Sequence, residues 1–514
     1  MAIVKLMLLV ALIAAGAVLA MRYLFPLPDI AGRAESHSLP ADPETLLGAF
    51  AAEAETRRPG KSAVLPLADG VEALAMRLAL VDRAAQSVDA QYYIWHDDTS
   101  GILLFEALRA AARRGIRVRL LLDDNGVPGL DPVIAALNRE PGLEVRLFNP
   151  SRLRRPKMLG YVVDFLRMNR RMHNKAMLVD GAAAIIGGRN IGDAYFRVGE
   201  GQFYVDLDVA VAGPIVPHTA AIFDAYWNCA SAFAADTIIA DAGDGGALDR
   251  RIAEVRGSAH ARVFLDAARG ALVRRLIEDE AEVEWTEVQV VADDPVKGEG
   301  RARRDQLMIV RLGGILGEVR SRLDLVSAYF IPGREGSRYF TDLAAEGRQV
   351  NILTNALDTT DVLLVHSGYT KYRRALLRPG VNLFELKLRG TATEKEDQLK
   401  PFGLSGASLH AKTFAVDGDR VFIGSFNFDP RSAMLNSEMG FLINSDTMAA
   451  QLHELFDRHL AQVSYQPQLT PEGRMVWIEE REGGRRIYQQ EPGASLFQQA
   501  SLTLIGRMPI EWML

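Results

Sequence analysis

Tyr92 and Tyr329 stand 237 residues apart, and so do His173 and His410. The text around each tyrosine repeats as well: Gln91-Tyr92-Tyr93-Ile94 closes one apolar run, and Ala328-Tyr329-Phe330-Ile331 closes another. Further on, the run Val118 to Leu121 is echoed by Val350 to Leu353, each time after a stretch of helical spacing. Independent landmarks at one offset mean that the chain carries the same unit twice. Two such units in one chain predict two similar halves facing each other across a pseudo-two-fold axis. Within each unit, strand-like runs alternate with longer amphipathic stretches, which predicts an α/β layered fold.

The expected layout follows the repeat. Residues 62–230 form the first half, 231–305 a connection that includes a Gly-rich stretch at 242–247, and 306–465 the second half. A tail at 466–514 holds a hairpin of 476–482 with 485–490, turned at Gly483-Gly484, and an apolar end at 509–514 expected to dock on the core. Ahead of the halves, 26–61 mixes Pro, Gly, Ala and charges and reads as a tether with a short helix. Residues 1–25 are different. Leu6 to Met21 carry no charge, with Lys5 before and Arg22 after. Sixteen helical residues span roughly 24 Å, and snorkelling flanks extend that toward the ~30 Å of a hydrocarbon core. This is a transmembrane anchor, or else a signal peptide cleaved near Val18-Leu19-Ala20. Either reading sends this end of the chain to a membrane.

Bulk properties exclude some classes. The net charge of −6 argues against a non-specific nucleic-acid binder, which needs a basic excess to displace phosphate counterions. A single cysteine, Cys229, rules out an intramolecular disulfide and an all-cysteine metal site. No metal-ligand spacing and no nucleotide-binding glycine loop is present, so neither metal nor cofactor is expected.

The chemistry lies at the second landmark. His173-Asn174-Lys175 continues into Ala176-Met177-Leu178-Val179 and Asp180, and His410-Ala411-Lys412 continues into Thr413-Phe414-Ala415-Val416 and Asp417. On an extended chain a His and a Lys two apart share a face. Asn190 and Asn427 each follow their histidine by 17 residues. Two lysines and two asparagines converging from opposite halves suit an anionic phosphodiester, whose transition state spreads charge over the non-bridging oxygens. One imidazole can attack phosphorus while the other protonates the leaving alcohol and then activates the acceptor. Each imidazole needs a fixed tautomer, hence a carboxylate on its other nitrogen. Asp206, 33 residues after His173, and Glu438, 28 after His410, are the candidates, with Asp208 as a rival to Asp206.

These paired His-x-Lys-x-x-x-x-Asp motifs resemble the signature of the phospholipase D superfamily, over roughly residues 62–465. Tyr92 to Asp98, Leu353 to Val362 and Val365 to Tyr369 are most similar to its bacterial cardiolipin synthase C type. The resemblance implies two phospholipase D-like α/β/α sandwich halves, a single two-repeat active site in a monomer, and a phosphohistidine intermediate. It further implies that Asp180 and Asp417 are structural turn acids, that His173 is the nucleophile and that His410 is the acid and base. Copy one reads Gly187-Gly188 where copy two reads Gly424-Ser425, so one hydroxyl contact to phosphate is expected to be missing.

Between Arg152 and Arg171, seven basic residues are interleaved with apolar ones against the single acid Asp164. This basic amphipathic stretch suits an anionic lipid surface or an ordinary solvated helix face. Arg152, Arg154, Arg155 and Lys157 are read as headgroup contacts, and His366 as a further substrate contact. The leading function is transfer of a phosphatidyl group to phosphatidylglycerol at a bacterial inner membrane, forming cardiolipin. Rivals are a hydrolytic phospholipase D, a nuclease of the superfamily and an inactive lipid-binding scaffold. Expected partners are phospholipids and the membrane surface, with an accessory protein left open and no nucleic acid.

Overall fold

A computed structural model describes residues 2–197, 203–240, 246–269, 283–360, 362–387, 407–481, 484–494 and 511. Most of the Gly-rich stretch at 242–247, Gly483 of the hairpin turn and all of 509–514 except Glu511 lie outside them.

The first half is built on β1 (Ser62–Leu67), β2 (Ser87–Tyr92), β3 (Arg117–Asp123), β4 (Leu143–Phe148), β5 (Ala176–Val179) and β6 (Ala183–Gly187). It is followed by β7 (Phe203–Val205), β8 (Asp208–Ala212), β9 (Ala232–Ala234) and β10 (Glu284–Thr286). The second half comprises β11 (Val288–Ala292), β12 (Arg322–Ser327), β13 (Gln349–Asn355), β14 (Asn382–Leu386), β15 (Ala407–Leu409) and β16 (Lys412–Val416). After these come β17 (Arg420–Gly424), β18 (Met439–Asn444), β19 (Ser464–Leu469), β20 (Met475–Arg481) and β21 (Gly484–Tyr488).

The duplication is explicit in the strand order. One sheet runs β10-β1-β8-β6-β5-β2-β3-β4-β9 and the other β11-β18-β17-β16-β12-β13-β14-β19-β20-β21. The inner six, β8-β6-β5-β2-β3-β4, match β18-β17-β16-β12-β13-β14 one for one. In both, the three strands joined by crossovers are parallel, and the motif strand (β5 or β16) pairs antiparallel with the first of them.

Equivalent residues close the motif hairpins. Asp180 and Asp417 both take a left-handed φ of 53°, which Asp tolerates better than most residues. Asp180 accepts the N–H groups of Ala85, Gln86 and Ser87 at 2.8–2.9 Å, and Asp417 accepts those of Arg320, Ser321 and Arg322 at 2.8–3.2 Å. Each acid thus ties the end of its motif strand to the start of the neighbouring strand.

On the first half's outer face, α3 (Gly70–Arg83) is N-capped by Asp69 and α4 (Thr99–Arg113) by Asp98. They follow α1 (Ala2–Leu24) and α2 (Leu46–Arg57), and α5 (Asp131–Leu137) and α6 (Leu159–Met168) come next. The inner faces of the two sheets meet in one apolar cluster. It joins Leu178, Ile186 and Val211 to Ala415, Ile423 and Phe441, together with Phe223 and Trp227 of the helix Ile215–Asn228. A continuous core of this kind fixes one half against the other.

Segments expected to lie outside the halves contribute to them. The connection supplies β9, β10 and β11, and the tail hairpin extends the second sheet. The stretch at 26–61 lies against the first half. Arg33 donates to the carbonyls of Asn228 and Cys229, and Ser38 binds Asp224 and Asp89. A side chain on Gly181 would meet the Leu39 carbonyl at 2.2 Å, so that position needs glycine.

Candidate active site

Backbone from the opposite half seats each motif histidine. The N–H of His173 donates to the Ser437 carbonyl at 2.8 Å, and the N–H of His410 donates to the Val205 carbonyl at 2.8 Å. The contact at His410 extends a two-stranded ribbon in which β15 runs parallel to β7. The residue following each carbonyl is an acid, so the orienting pairs cross between halves. His173 Nδ1 lies 2.8 Å from Glu438 Oε2, and His410 Nδ1 lies 2.5 Å from Asp206 Oδ2. Sequence distance had suggested each acid for the histidine of its own half; the geometry reverses this. Asp208, the rival acid, is committed to the buried Arg77 at 2.8 Å.

Both rings are buried, and with Nδ1 held by a carboxylate each keeps Nε2 for chemistry. Burial, with Lys175, Lys412 and His410 adding to it, holds His173 well below the ordinary imidazole value. His410 is lowered by burial and Lys412 against the opposing pull of Asp206. The carboxylates differ. Burial raises Glu438 to about 7 despite Lys175 and Ser425. At Asp206 the same burial is outweighed by His410, Lys412 and Arg189, and its value is lowered. The mutual influence of Lys412, His410 and His173 shows that the two motifs form one electrostatic unit.

Lys175 and Lys412 are 1% and 2% exposed. Each ammonium turns back to the carbonyl of its own histidine, Lys175 at 2.6 Å, and Lys412 Nζ also lies 3.0 Å from His410 Nδ1. Burial, reinforced by Lys412 and opposed by Glu438, holds Lys175 well below the usual lysine value. The Asn190 carbonyl accepts the Ile94 N–H at 3.2 Å and its amide donates to the Tyr195 hydroxyl at 2.9 Å. Asn427 accepts the Tyr329 N–H at 3.4 Å. Every member of the two His-Lys-Asn sets is therefore buried and fixed by neighbours.

The Gly188/Ser425 difference has a reason other than a missing phosphate contact. The Ser425 hydroxyl donates to Glu438 Oε2 at 2.5 Å, so it serves the carboxylate. A side chain on Gly188 would meet Asp206 Oδ1 at 2.0 Å. The shorter acid occupies the space that the serine fills in the other half.

The family model described as "Cardiolipin synthase, PLD-like domain" matches residues 78–227 and again 314–460. The chain belongs to this family. It is 43% identical to cardiolipin synthase C of Escherichia coli (strain K12) over 467 residues, 89% of this chain and 98% of that one. Cardiolipin synthase of Listeria innocua is 25% identical over 423 residues, 82% of this chain and 73% of the relative. Among solved structures, phosphatidylserine synthase of Haemophilus influenzae shares the fold, with a TM-score of 0.54 at 12% identity, covering 90% of this chain and 100% of that one.

Other residues of this phospholipase D-like chain lie differently from expectation. His366 is 2% exposed, with Nε2 held 2.6 Å from Glu491 and 3.0 Å from Arg373, in a buried network with Glu385 and Tyr369. That nitrogen is committed within the protein, so the structure does not support a substrate contact there. Arg154 binds Asp124 and Asp131, and Lys157 lies 3.0 Å from Asp124. Arg152 donates to the Thr237 carbonyl at 2.5 Å, and Arg155 is exposed. Two of the four cations read as headgroup contacts are thus neutralised internally. Arg171, counted in the same basic stretch, is fully buried on Asp123, which also accepts the Met172 N–H at 2.8 Å; together they brace the first motif.

Sequence reasoning missed the aromatic walls. The Tyr93 ring centre lies 5.0 Å from that of His173, and Tyr195 and Tyr204 each lie 5.2 Å from His410. Tyr93 was visible as part of the repeated landmark, but the backbone contacts of Ile94 and Tyr329 with Asn190 and Asn427 make its equivalent Ala328, so the second half has no aromatic ring there. Among the described residues no group of three or more His, Cys, Asp or Glu is arranged to hold a metal ion.

Proposed function

We propose that the chain is a phosphatidyltransferase that makes cardiolipin from phosphatidylglycerol and a second phospholipid. The crossed His–carboxylate pairs carry this reading: two oriented imidazoles, each completed by the opposite half, meet in one site with two buried lysines. His173 Nε2 attacks phosphorus of the donor while His410 gives its proton to the departing headgroup alcohol. The P–O bond to that alcohol breaks as the P–N bond forms. His410 then takes the proton from a hydroxyl of phosphatidylglycerol, whose oxygen displaces His173 and restores both histidines. Lys175, Lys412, Asn190 and Asn427 neutralise and hydrogen-bond the non-bridging oxygens. The phosphohistidine conserves the ester's free energy, so no nucleotide is consumed.

Family membership and the apolar α1 associate the chain with a membrane. The apolar stretch Val4–Leu24 is 21 residues, roughly 31 Å of helix, enough for a hydrocarbon core. Arg22, near its end, pairs with Asp164 of α6 at 2.7 Å, which supports an anchor retained in the mature chain over a cleaved signal. We place the protein at a bacterial inner membrane on this basis.

The test is incubation of the purified protein with labelled phosphatidylglycerol and phosphatidylethanolamine. Labelled cardiolipin is expected; phosphatidic acid alone would make the chain a hydrolase. His173→Ala and His410→Ala should each abolish lipid turnover, and a chelator should leave it unchanged.

A further inference from the structure

Arg154, Lys157 and Arg171 of the basic run before the first motif are paired internally, and much of what the run shows to solvent is apolar. Met158, Leu159, Val162, Phe165 and Leu166 are each between 41% and 70% exposed. The apolar stripe is bent rather than straight: Met158, Leu159 and Val162 precede a kink at Asp164 (φ −144°, ψ 54°), and Phe165 and Leu166 follow it. The opposite face of α6 is closed: Gly160 and Met168 are buried, and a side chain on Gly160 would meet the Ser151 hydroxyl at 2.3 Å. Five large apolar side chains exposed together on one short helix mark an interaction surface.

Two observations identify what covers it. First, the C-terminal end of α1 lies against α6, joined through Arg22 and Asp164, and none of α1's apolar stretch is buried by the protein. If α1 crosses a membrane, its last turn marks the interface, and α6 lies at that level. Tyr23, Leu24 and Phe25 continue the exposed apolar surface from one helix toward the other. Second, the cations beside the stripe outnumber the acid that pairs with them, since Arg22 and Arg167 share Asp164. Arg22, Arg152 and Arg167 line a cavity of about 160 Å³ between the two helices, with Asp164 as their acid.

We propose that α6 is an interfacial helix, its apolar stripe immersed in the bilayer beside α1, and that it delivers lipid to His173. The inference rests on the reading of α1 as an anchor and of the chain as a lipid-transferring enzyme. The helix is fixed at the active-site end. Arg431 of the second half donates to both the side chain and the carbonyl of Asn169 at 3.0 Å, and His173 follows five residues after Met168. On the inner side, Arg171 next to the motif is buried on Asp123, and the Tyr93 ring walls His173. The stripe thus leads along the chain directly into the motif that carries the nucleophile.

The test uses the full chain in phosphatidylglycerol/phosphatidylethanolamine vesicles. An environment-sensitive fluorophore goes on Val162→Cys in a Cys229→Ser background, and a control probe on the exposed Glu472→Cys. The probe at 162 is expected to shift blue and to be quenched by lipids carrying a nitroxide near the headgroup, the control to be quenched only by aqueous iodide. Iodide quenching at 162, or shielding there without nitroxide quenching (a protein covering the stripe), would overturn the proposal. In parallel, Val162→Ser/Phe165→Ser/Leu166→Ser should lower turnover of vesicle lipid about tenfold and leave turnover of a soluble p-nitrophenyl phosphodiester unchanged. An equal fall with both substrates would also overturn it. If the probe is quenched by nitroxide lipid but wild type makes no cardiolipin, the functional reading fails and the membrane contact stands.

Discussion

Glu438 Oε2 lies 2.8 Å from His173 Nδ1, although the two residues are 265 positions apart and belong to opposite halves. The 2.8 Å bond from the His173 N–H to the Ser437 carbonyl puts the next residue, Glu438, beside the ring, and the bond to Val205 does the same for Asp206 and His410. Neither half holds an oriented histidine by itself, so catalysis requires the docked pair.

The crossing sets the phenotype of each carboxylate. A p-nitrophenyl phosphodiester has a leaving group that needs no proton, so its first step depends on His173 alone. Glu438→Gln is expected to slow adduct formation by about a hundredfold. Asp206→Asn should leave that step near the wild-type rate and stall turnover of lipid. Peptide mapping after an acid-free quench checks both, and an adduct on His410 would exchange the two roles.

Gly188 and Ser425 offer a second contrast. Gly188→Ser forces a side chain onto Asp206 Oδ1, which a fixed, buried carboxylate cannot yield without leaving His410. Turnover should fall at least a hundredfold with the fold preserved. Ser425→Gly removes one hydrogen bond to Glu438, worth about 1.5–3 kcal/mol where the acceptor is charged, and a smaller loss is expected. Comparable losses in the two variants would show that the glycine is not reserved for Asp206.

Much of this arrangement was legible in the chain. The offset of 237 shared by His173/His410 and Asn190/Asn427 reports the duplicated motif strands, whereas Tyr92/Tyr329 is two residues out of register: Val88 pairs with Val179 but Leu323 with Val416, so the neighbouring strand repeats at 235. The turn-acid role of Asp180 and Asp417 came from the family resemblance, and their left-handed φ and the N–H groups they accept fit it. The pairing of acids with histidines was not legible, since linear distance carries no information on which half's backbone lies beside a ring. Arg154 and Lys157 were not readable as internally paired because composition cannot reveal such partners: Asp124 and Asp131 come from other parts of the first half. His366 misled likewise, its partner Glu491 lying 125 residues away in the tail.

The connection between halves also reaches the site. Asp293 Oδ2 accepts the Glu438 N–H at 2.8 Å and pairs with the buried Lys297 at 2.8 Å. Burial raises Asp293 to about 6 even with Lys297 beside it. Lys297→Met leaves that acid buried without a counter-charge, a change that costs about 3–5 kcal/mol. The thermal midpoint should drop, and Asp293→Asn/Lys297→Met should recover part of it. A double variant no more stable than the single would show that the two charges are not coupled.

Asp417 gives stability a defined pH dependence. Burial raises this carboxyl, but the N–H groups around Ser321 and the Arg320 guanidinium outweigh it and hold the acid below its ordinary range. A depressed folded value stabilises the protein above the unfolded pKa of ~4 and is lost as pH falls through the folded one. Asp417→Asn should therefore melt well below wild type at pH 7, with the gap closing as pH falls below about 4. A gap that is constant over that range would mean that the carboxylate's charge contributes nothing.

Lys175 provides the clearest test of the phosphate-binding role. Buried near Lys412, it has its charge disfavoured in the free enzyme and loses its proton well below the usual lysine value. Since kcat/KM reports free-enzyme ionisations, its alkaline limb should fall well short of pH ~10.4. His173 is likewise held low, so the acid limb should lie below ~6.5. An anionic phosphodiester restores the ammonium, so the kcat profile, which reports the complex, should keep its activity to higher pH than kcat/KM. Lys175→Arg keeps its charge throughout and, at a reduced rate, should lose the early alkaline limb. If the kcat and kcat/KM limbs coincide, or the Arg variant retains the early limb, Lys175 is not the group that meets the phosphate.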